Sequence, residues 1–411
     1  MGMSHPVGLT AITVCHKYSG GPMKVPLAIP NLSGREAEYL QECIRSTFVS
    51  TAGPFVTRFE QQIAELSGTE SAAVTCSGTV ALQMALEGLG IGTGDLVMAP
   101  SLTFIASPNS IRHSRADVWL VDCTPDDWTL DLEVAEAAIE QETDPHPHGR
   151  LHRETGKVLK AIMPVMIMGA SLDFEAYVEF ARRHGLRVVV DAAAAIGASG
   201  ADNTLLGATG VDAVCYSFNG NKTVTSGGGG AVASGDPELV ARINHLVSTA
   251  RVGTAYDHDE VGYNFRMTNV EAAIGVAQLE RLPLFLERKR QIHERYAAVA
   301  GQHRDLEAFP TAASGQSVHW FSGFHYTGTD VTRCPRFCTF MVDRGIDVRP
   351  FWKPVHLQRP YSDAPRTDVG VTEQLWQRII PLPCSTGITD DELDYVADAA
   401  AEFWADGATD A

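Results

Sequence analysis

No apolar run in this sequence approaches the roughly 18 residues that a membrane-spanning helix requires. The Gly8 to Val14 stretch is too short and too rich in threonine for a secretory signal. Together these absences predict a cytoplasmic protein without a membrane partner. Cations are also scarce, with 32 Lys and Arg against 50 Asp and Glu and a formal net charge of -18. Nucleic-acid binding depends on clustered cations that displace counterions from phosphates, so a general nucleic-acid partner is excluded. An anionic small molecule is not excluded, because its site needs only local donors. The eight cysteines are scattered, and only Cys334 and Cys338 lie close together. Four residues apart on a predicted helix, they read as packing residues rather than a metal or redox pair. No metal-ligand set and no internal repeat is evident.

What is present is enough chain, 411 residues, for two or more domains. Residues 1–23 read as a leader, 24–285 as a large domain and 286–411 as a smaller C-terminal α+β domain. Ser33-Gly34-Arg35-Glu36 has the form of a capping box before a helix carrying Ala37, Leu40 and Ile44. A second helix follows Pro54 and closes at Gly68. Short apolar runs then alternate with amphipathic helices: Ala72–Val74, Leu96–Ala99, Val118–Val121, Ala161–Ile167, Val188–Val190 and Ala213–Tyr216. That rhythm predicts an α/β fold with a mostly parallel, buried sheet. Thr143 to Val158, with His146, His148 and His152, reads as a solvated loop. Val270 to Val299 reads as a long helix or helix pair, broken or kinked at Pro283, and the domain boundary is placed within it. Beyond it the pattern predicts a strand at Gly323–Tyr326, a helix over Phe337–Arg344, a short strand at Ile346–Val348 and a final helix from Asp390.

Ligands of such sheets bind at the carboxyl ends of the strands, and four stretches converge there. Ser77-Gly78-Thr79 joins a strand to a helix N-terminus, whose free amides and dipole suit a phosphate; alone it is also an ordinary cap. Phe104, after the Leu96–Ala99 strand, offers a face for a flat heteroaromatic ring, although a core phenylalanine is the plainer reading. Asp191 ends a buried strand and needs a partner, either an arginine or a protonated pyridine nitrogen. In Ser217-Phe218-Asn219-Gly220-Asn221-Lys222, Ser217 suits a phosphate and Lys222 an amine nucleophile. A lone lysine is usually a solvated group; here the ordered set outweighs that reading.

With Ala99-Pro100-Ser101-Leu102-Thr103-Phe104 and Gly262-Tyr263-Asn264-Phe265-Arg266-Met267-Thr268-Asn269, these motifs make the sequence resemble the DegT/StrS family of pyridoxal-phosphate nucleotide-sugar aminotransferases, from about Val25 to Glu402. The resemblance implies the aspartate aminotransferase fold (fold type I), pyridoxal 5'-phosphate as cofactor, and a homodimer with shared active sites. It assigns Lys222 as the Schiff-base lysine and Asp191 as the partner of the pyridine nitrogen. Phe104 stacks on the ring, while Gly78, Thr79 and Ser217 hold the phosphate together with Asn264 of the other subunit. The Arg349 to Gln358 segment looks most like enzymes that aminate C4 of a 4-keto-6-deoxy sugar nucleotide, with glutamate as donor. By that analogy Lys353 and His356 face the substrate, with Arg251 and His325 as further candidates.

The sequence departs from the family where polar residues usually surround the cofactor. Ala194 stands where a residue that meets the cofactor's phenolic oxygen is usual, Met166 and Met168 replace polar positions, and Gly228 replaces a carboxylate. Two other readings follow: a pyridoxal-phosphate enzyme acting on a cyclitol or another carbonyl metabolite, or a noncatalytic sensor on the same fold.

Overall fold

The computed structural model describes residues 23–254, 256–312 and 314–405. The leader expected over 1–23 therefore lies outside the described residues except for Met23.

Helices α1 (Glu36–Ser46) and α2 (Pro54–Ser67) come first, followed by strand β1 (Ser71–Thr75) and α3 (Gly78–Gly88). Next are β2 (Asp95–Pro100), α4 (Ala106–His113), β3 (Asp117–Val121) and α5 (Leu132–Glu142). The hairpin β4 (Thr143–His146) and β5 (Gly149–His152) leads into β6 (Val158–Ile162), α6 (Phe174–His184), β7 (Arg187–Asp191), β8 (Ala213–Ser217), β9 (Gly230–Ser234) and α7 (Pro237–Val247). The short strands β10 (Arg251–Val252) and β11 (Asp257–His258) precede α8 (Asn269–Leu279) and α9 (Leu282–Ala300). The chain ends with β12 (Leu306–Ala308), β13 (Ser322–Tyr326), α10 (Arg333–Asp343), α11 (Gly370–Leu375), β14 (Ile379–Leu382) and α12 (Asp390–Ala405).

The nine-stranded sheet runs β1-β9-β8-β7-β6-β2-β3, with the β4–β5 hairpin attached to β6. It is parallel from β8 through β3, while β9 runs antiparallel to both β8 and β1. Side chains alternate along each strand, so each strand feeds a separate core on either face. Val74, Leu96, Met98, Val188, Val190, Val214 and Tyr216 pack with α1, α2 and α8. Ala73, Val97, Ala99, Val189, Ala213 and Cys215 pack with residues of α3 and α7. Such burial on both faces accounts for the unbroken apolar runs in the sequence.

A third core holds the antiparallel sheet β12-β13-β14 against α10 and α12. Helix α9 crosses between cores: Leu282 and Phe285 join the first, whereas Ile292, Tyr296 and Val299 join the third. Pro283 sits in its first turn, where a missing N–H costs nothing, so the break falls between two helices. Val25 and Leu27, grouped with the large domain on sequence, pack in the third core.

Several local expectations change. Ser33 does not cap α1; its hydroxyl donates to Asn31 and accepts from Arg281, and Arg35 occupies the cap position with its side chain bonded to Glu38 and not to the helix amides. Capping boxes lie instead at Thr268 and Glu271, opening α8, and at Thr389 and Glu392, opening α12. The strand expected to reach Ile167 stops at Ile162, because Pro164 has no N–H for a ladder; Val165 makes one bridge to Asp191 before a tight turn at Ile167–Gly169. Ile346–Val348 provides a single bridge, to Val25, rather than a strand. Thr143–His152 forms the β4–β5 hairpin rather than a loop; its tip at Pro147 and His148 is exposed, but His152 is buried edge-on against Trp119 at 4.6 Å and bonds Thr155 and Glu142. Cys334 and Cys338 do share α10, and burial pushes both thiols up to about 11. None of the helices among the described residues is long and apolar enough to cross a membrane.

Phe59 of α2 is fully buried, meets Phe218 edge-on at 4.9 Å, and leaves no room for a side chain at Gly275. It thus braces the residue that follows Ser217. Phe59→Ala is expected to lower unfolding free energy by about 3–5 kcal/mol, read from urea denaturation by circular dichroism. A loss below about 1 kcal/mol would contradict this bracing role.

Candidate active site

The strand ends of β1, β2, β7 and β8 open onto one cleft of about 600 Å³, within the range of small-molecule sites. Its lining includes Gly78, Thr79, Phe104, Asp191, Ala194, Ser217 and Lys222. Seven residues drawn from separate stretches of sequence are thus brought together.

One end of the cleft is shaped for an anion. Ser77 caps α3 by accepting from Val80 N–H at 3.2 Å, leaving the amides of Gly78 and Thr79 in the unpaired first turn. A Cβ on Gly78 would lie 2.6 Å from the Ser217 Cβ and 2.9 Å from its Oγ. Glycine is what lets the helix start and the β8 end approach each other.

Asp191, 5% exposed, ends β7. Ser107 Oγ donates to its Oδ2 at 2.7 Å and Ala193 N–H to its Oδ1 at 3.0 Å. Burial pushes the carboxyl above its ordinary value, and the Ser107 bond, the Ala193 amide and the charge of Lys222 oppose that rise. Its partners in the chain are therefore neutral donors and a nearby amine, not an arginine.

Lys222 lies in the turn after β8, its backbone N–H donating to Asn219 O at 3.0 Å. Its half-buried side chain lines the cleft, and burial pushes the amine down to about 8, with Asp191 pulling the other way. Its Nζ stands 3.7 Å from the centroid of the Trp320 ring. Phe104 is 52% exposed, its ring free toward the cleft and tilted against Trp352 at 5.4 Å. It is thus not the core phenylalanine of the plainer reading.

The departures at Ala194, Met166, Met168 and Gly228 all fall on the cleft wall. Met168 takes a left-handed conformation (φ 53°). Near Gly228 a carboxylate does arrive from another element: Glu271 Oε1 stands 3.3 Å from where a Cβ on Gly228 would lie.

Other candidates lie elsewhere in the chain. His356 is buried outside the cleft, bonded to Ser101 Oγ at 2.6 Å and Glu373 at 3.2 Å. His325 faces its cross-strand partner Glu307 in the small sheet. Lys353 and Arg251 are exposed and outside the cleft lining, Arg251 near the Tyr256 ring. Asn264 is exposed and likewise outside the lining. Sequence reasoning missed Ser107 and Trp320, and from the Arg349 to Gln358 segment it drew Lys353 and His356, whereas Arg349 and Trp352 are the residues of that segment that line the cleft. Ser107, three residues beyond Phe104 at the start of α4, carried a helical-spacing signal; Trp320 carried none, because it arrives from the small-domain core.

The residues present fit pyridoxal phosphate: an anion cradle that a Cβ would fill, a buried carboxylate, an amine of lowered pKa and an open aromatic face share one cleft. The model of the DegT/DnrJ/EryC1/StrS aminotransferase family matches residues 30–401. The GDP-perosamine synthase of Caulobacter vibrioides is 35% identical over 382 residues, 91% of this chain and 96% of the relative. That of Escherichia coli O157:H7 is 34% identical over 388 residues, 93% and 99% of the two chains. The crystal structure of S. venezuelae DesV superposes with a TM-score of 0.80 at 29% identity, covering 90% of this chain and 94% of that one. A cleft of this composition on a sheet of this topology, with a family match across nearly the whole chain, has one reading: the protein belongs to the DegT/DnrJ/EryC1/StrS aminotransferases, has the type I fold, and is a pyridoxal-phosphate-dependent aminotransferase.

Proposed function

We propose that the enzyme transfers an amino group from an amino-acid donor, glutamate, to the keto group of a 4-keto-6-deoxy sugar nucleotide. The observation that carries the reading is the lowered amine of Lys222 opening onto the same cleft as buried Asp191 and the Gly78–Ser217 cradle. The sugar-nucleotide acceptor is supported by relatives named GDP-perosamine synthase.

Pyridoxal phosphate, when bound, supplies a carbonyl that exchanges for an amine and a ring that delocalises the electrons of a broken C–H bond. The residues that would hold it are Gly78, Thr79 and Ser217 at its phosphate, Asp191 at its ring nitrogen, Phe104 against its face and Lys222 at its carbonyl. Ser107 and the Ala193 amide orient the Asp191 carboxylate and favour its charged form. Lys222 Nζ, as the free amine, holds and moves the proton between the two carbons that exchange it. A lowered pKa suits this role, because the group must both accept and give up a proton near neutral pH.

We further infer a homodimer. Its support is apolar surface left open on the single chain, including Tyr256 at 88% and Val261 at 86% exposure, close in sequence to exposed Asn264. In such a dimer Asn264 would reach the partner's phosphate cradle.

Lys222→Ala is expected to abolish turnover with glutamate across a panel of keto sugar nucleotides on which the wild type is active, while cofactor binding stays measurable by equilibrium dialysis. Surviving turnover rejects the lysine's role, and a wild type inactive on the whole panel rejects the acceptor class. The pKa also sets a pH dependence, since only the neutral amine attacks a carbonyl. Capture of pyridoxal phosphate by cofactor-free enzyme should quicken about tenfold per pH unit at acid pH and level off above about pH 8. Stopped-flow absorbance reads this rate, and an inflection near the ordinary lysine value would contradict the shift.

A further inference from the structure

We infer that Trp320 is a positioning residue for Lys222, its indole face receiving the lysine's ammonium whenever that side chain is not attached to the cofactor. The inference rests on the assignment of Lys222 as the cofactor lysine and adds to it the group that holds the lysine between attachments. The Nζ lies 3.7 Å from the ring centroid, well inside cation–π range.

The ring is fixed from two sides. Its Nε1–H donates to the carbonyl of Asn221, the residue before Lys222, at 2.7 Å. Its backbone carbonyl accepts at 2.6 Å from Lys289 of α9, a buried lysine that also donates to Cys384 O at 2.5 Å. Behind it, Gly169 (φ +88°) makes room: a Cβ there would lie 2.8 Å from the Trp320 N. Trp320 is 3% exposed, and the Trp352 ring stands next to its ring at 6.2 Å, continuing the aromatic wall toward Phe104.

The charged groups around Lys222 are Asp191 from the end of β7, Arg349 in the cleft lining, and Lys289 behind the Trp320 carbonyl. Met166, Met168 and Ala194 on the wall bring no charge. Asp191 already accepts from Ser107 and Ala193, and a ring nitrogen paired with it would compete for its charge. A carboxylate partner would also hold the lysine's proton tightly. An aromatic face attracts the cation yet offers no lone pair to take the proton, so the amine stays in place and still exchanges it.

The test is the pH dependence of Lys222 acetylation in the full-length cofactor-free protein, read by mass spectrometry. Fluorinated tryptophans placed at position 320 weaken the ring's negative face while keeping its shape. The pKa of Lys222 is expected to fall stepwise with fluorination, and by about one unit in Trp320→Leu. The acid limb of the kcat profile should shift in the same direction. A pKa unchanged across the fluorinated series overturns the inference, as does a Trp320→Leu protein with the wild-type pKa. Cofactor still attached to Lys222 in those proteins would leave the lysine's assignment standing, whereas attachment elsewhere would remove that assignment instead.

Discussion

A primary amine lining a cleft beside a buried carboxylate is the constraint around which this structure is arranged. Burial disfavours the ammonium and pushes Lys222 down to about 8, and burial equally pushes the Asp191 carboxyl up. Each group relieves the other only in part. In the cofactor-free protein the ionised lysine weakens folding fully below about pH 8, and that penalty fades as pH rises toward the unfolded value of 10.5. The sheet bears this cost because both of its faces are filled with apolar side chains, so the strand ends that carry Asp191 and Ser217 are fixed by packing and not by the site itself. Functional polarity sits at the margin of a core that does not need it.

Much of the fold was legible because buried strands write themselves plainly. Val188–Val190 and Ala213–Tyr216 are apolar on both sides, and the structure shows each alternate residue entering a different core. Pro54, Gly68 and Pro283 punctuated helices as their backbone chemistry requires. What failed was local chemistry decided by distant partners. Ser33 had the right spacing for a cap but is claimed by Asn31 and Arg281, the latter 248 residues away. His152 looked like part of a solvated loop because nothing nearby in sequence announces Trp119 beneath it.

The site divides along the same line. Gly78, Asp191, Ser217 and Lys222 sit at strand-to-helix or strand-to-turn junctions, and such junctions are readable from the pattern of runs and breaks. Trp320 and Trp352 belong to segments whose elements form a separate core, and the geometry that turns them toward the cleft, including the left-handed His319 before Trp320 (φ 48°), has no signature in the sequence. His356 shows the converse: a suggestive motif whose histidine is tied to Ser101 and Glu373 within the protein. Ala194, Met166 and Met168 leave apolar surface on the cleft wall, and Met168 and Ala194 pack in the same core as Trp320 and Trp352. That combination lowers the local polarity around Lys222 and is consistent with the direction of its shift.

Reduction of the pyridoxal-phosphate-loaded enzyme with borohydride, followed by peptide mass mapping, tests the central claim most directly. A phosphopyridoxyl group on Lys222 alone is the expected result. Its appearance on another lysine, or on none, would contradict the placement of the cofactor in this cleft.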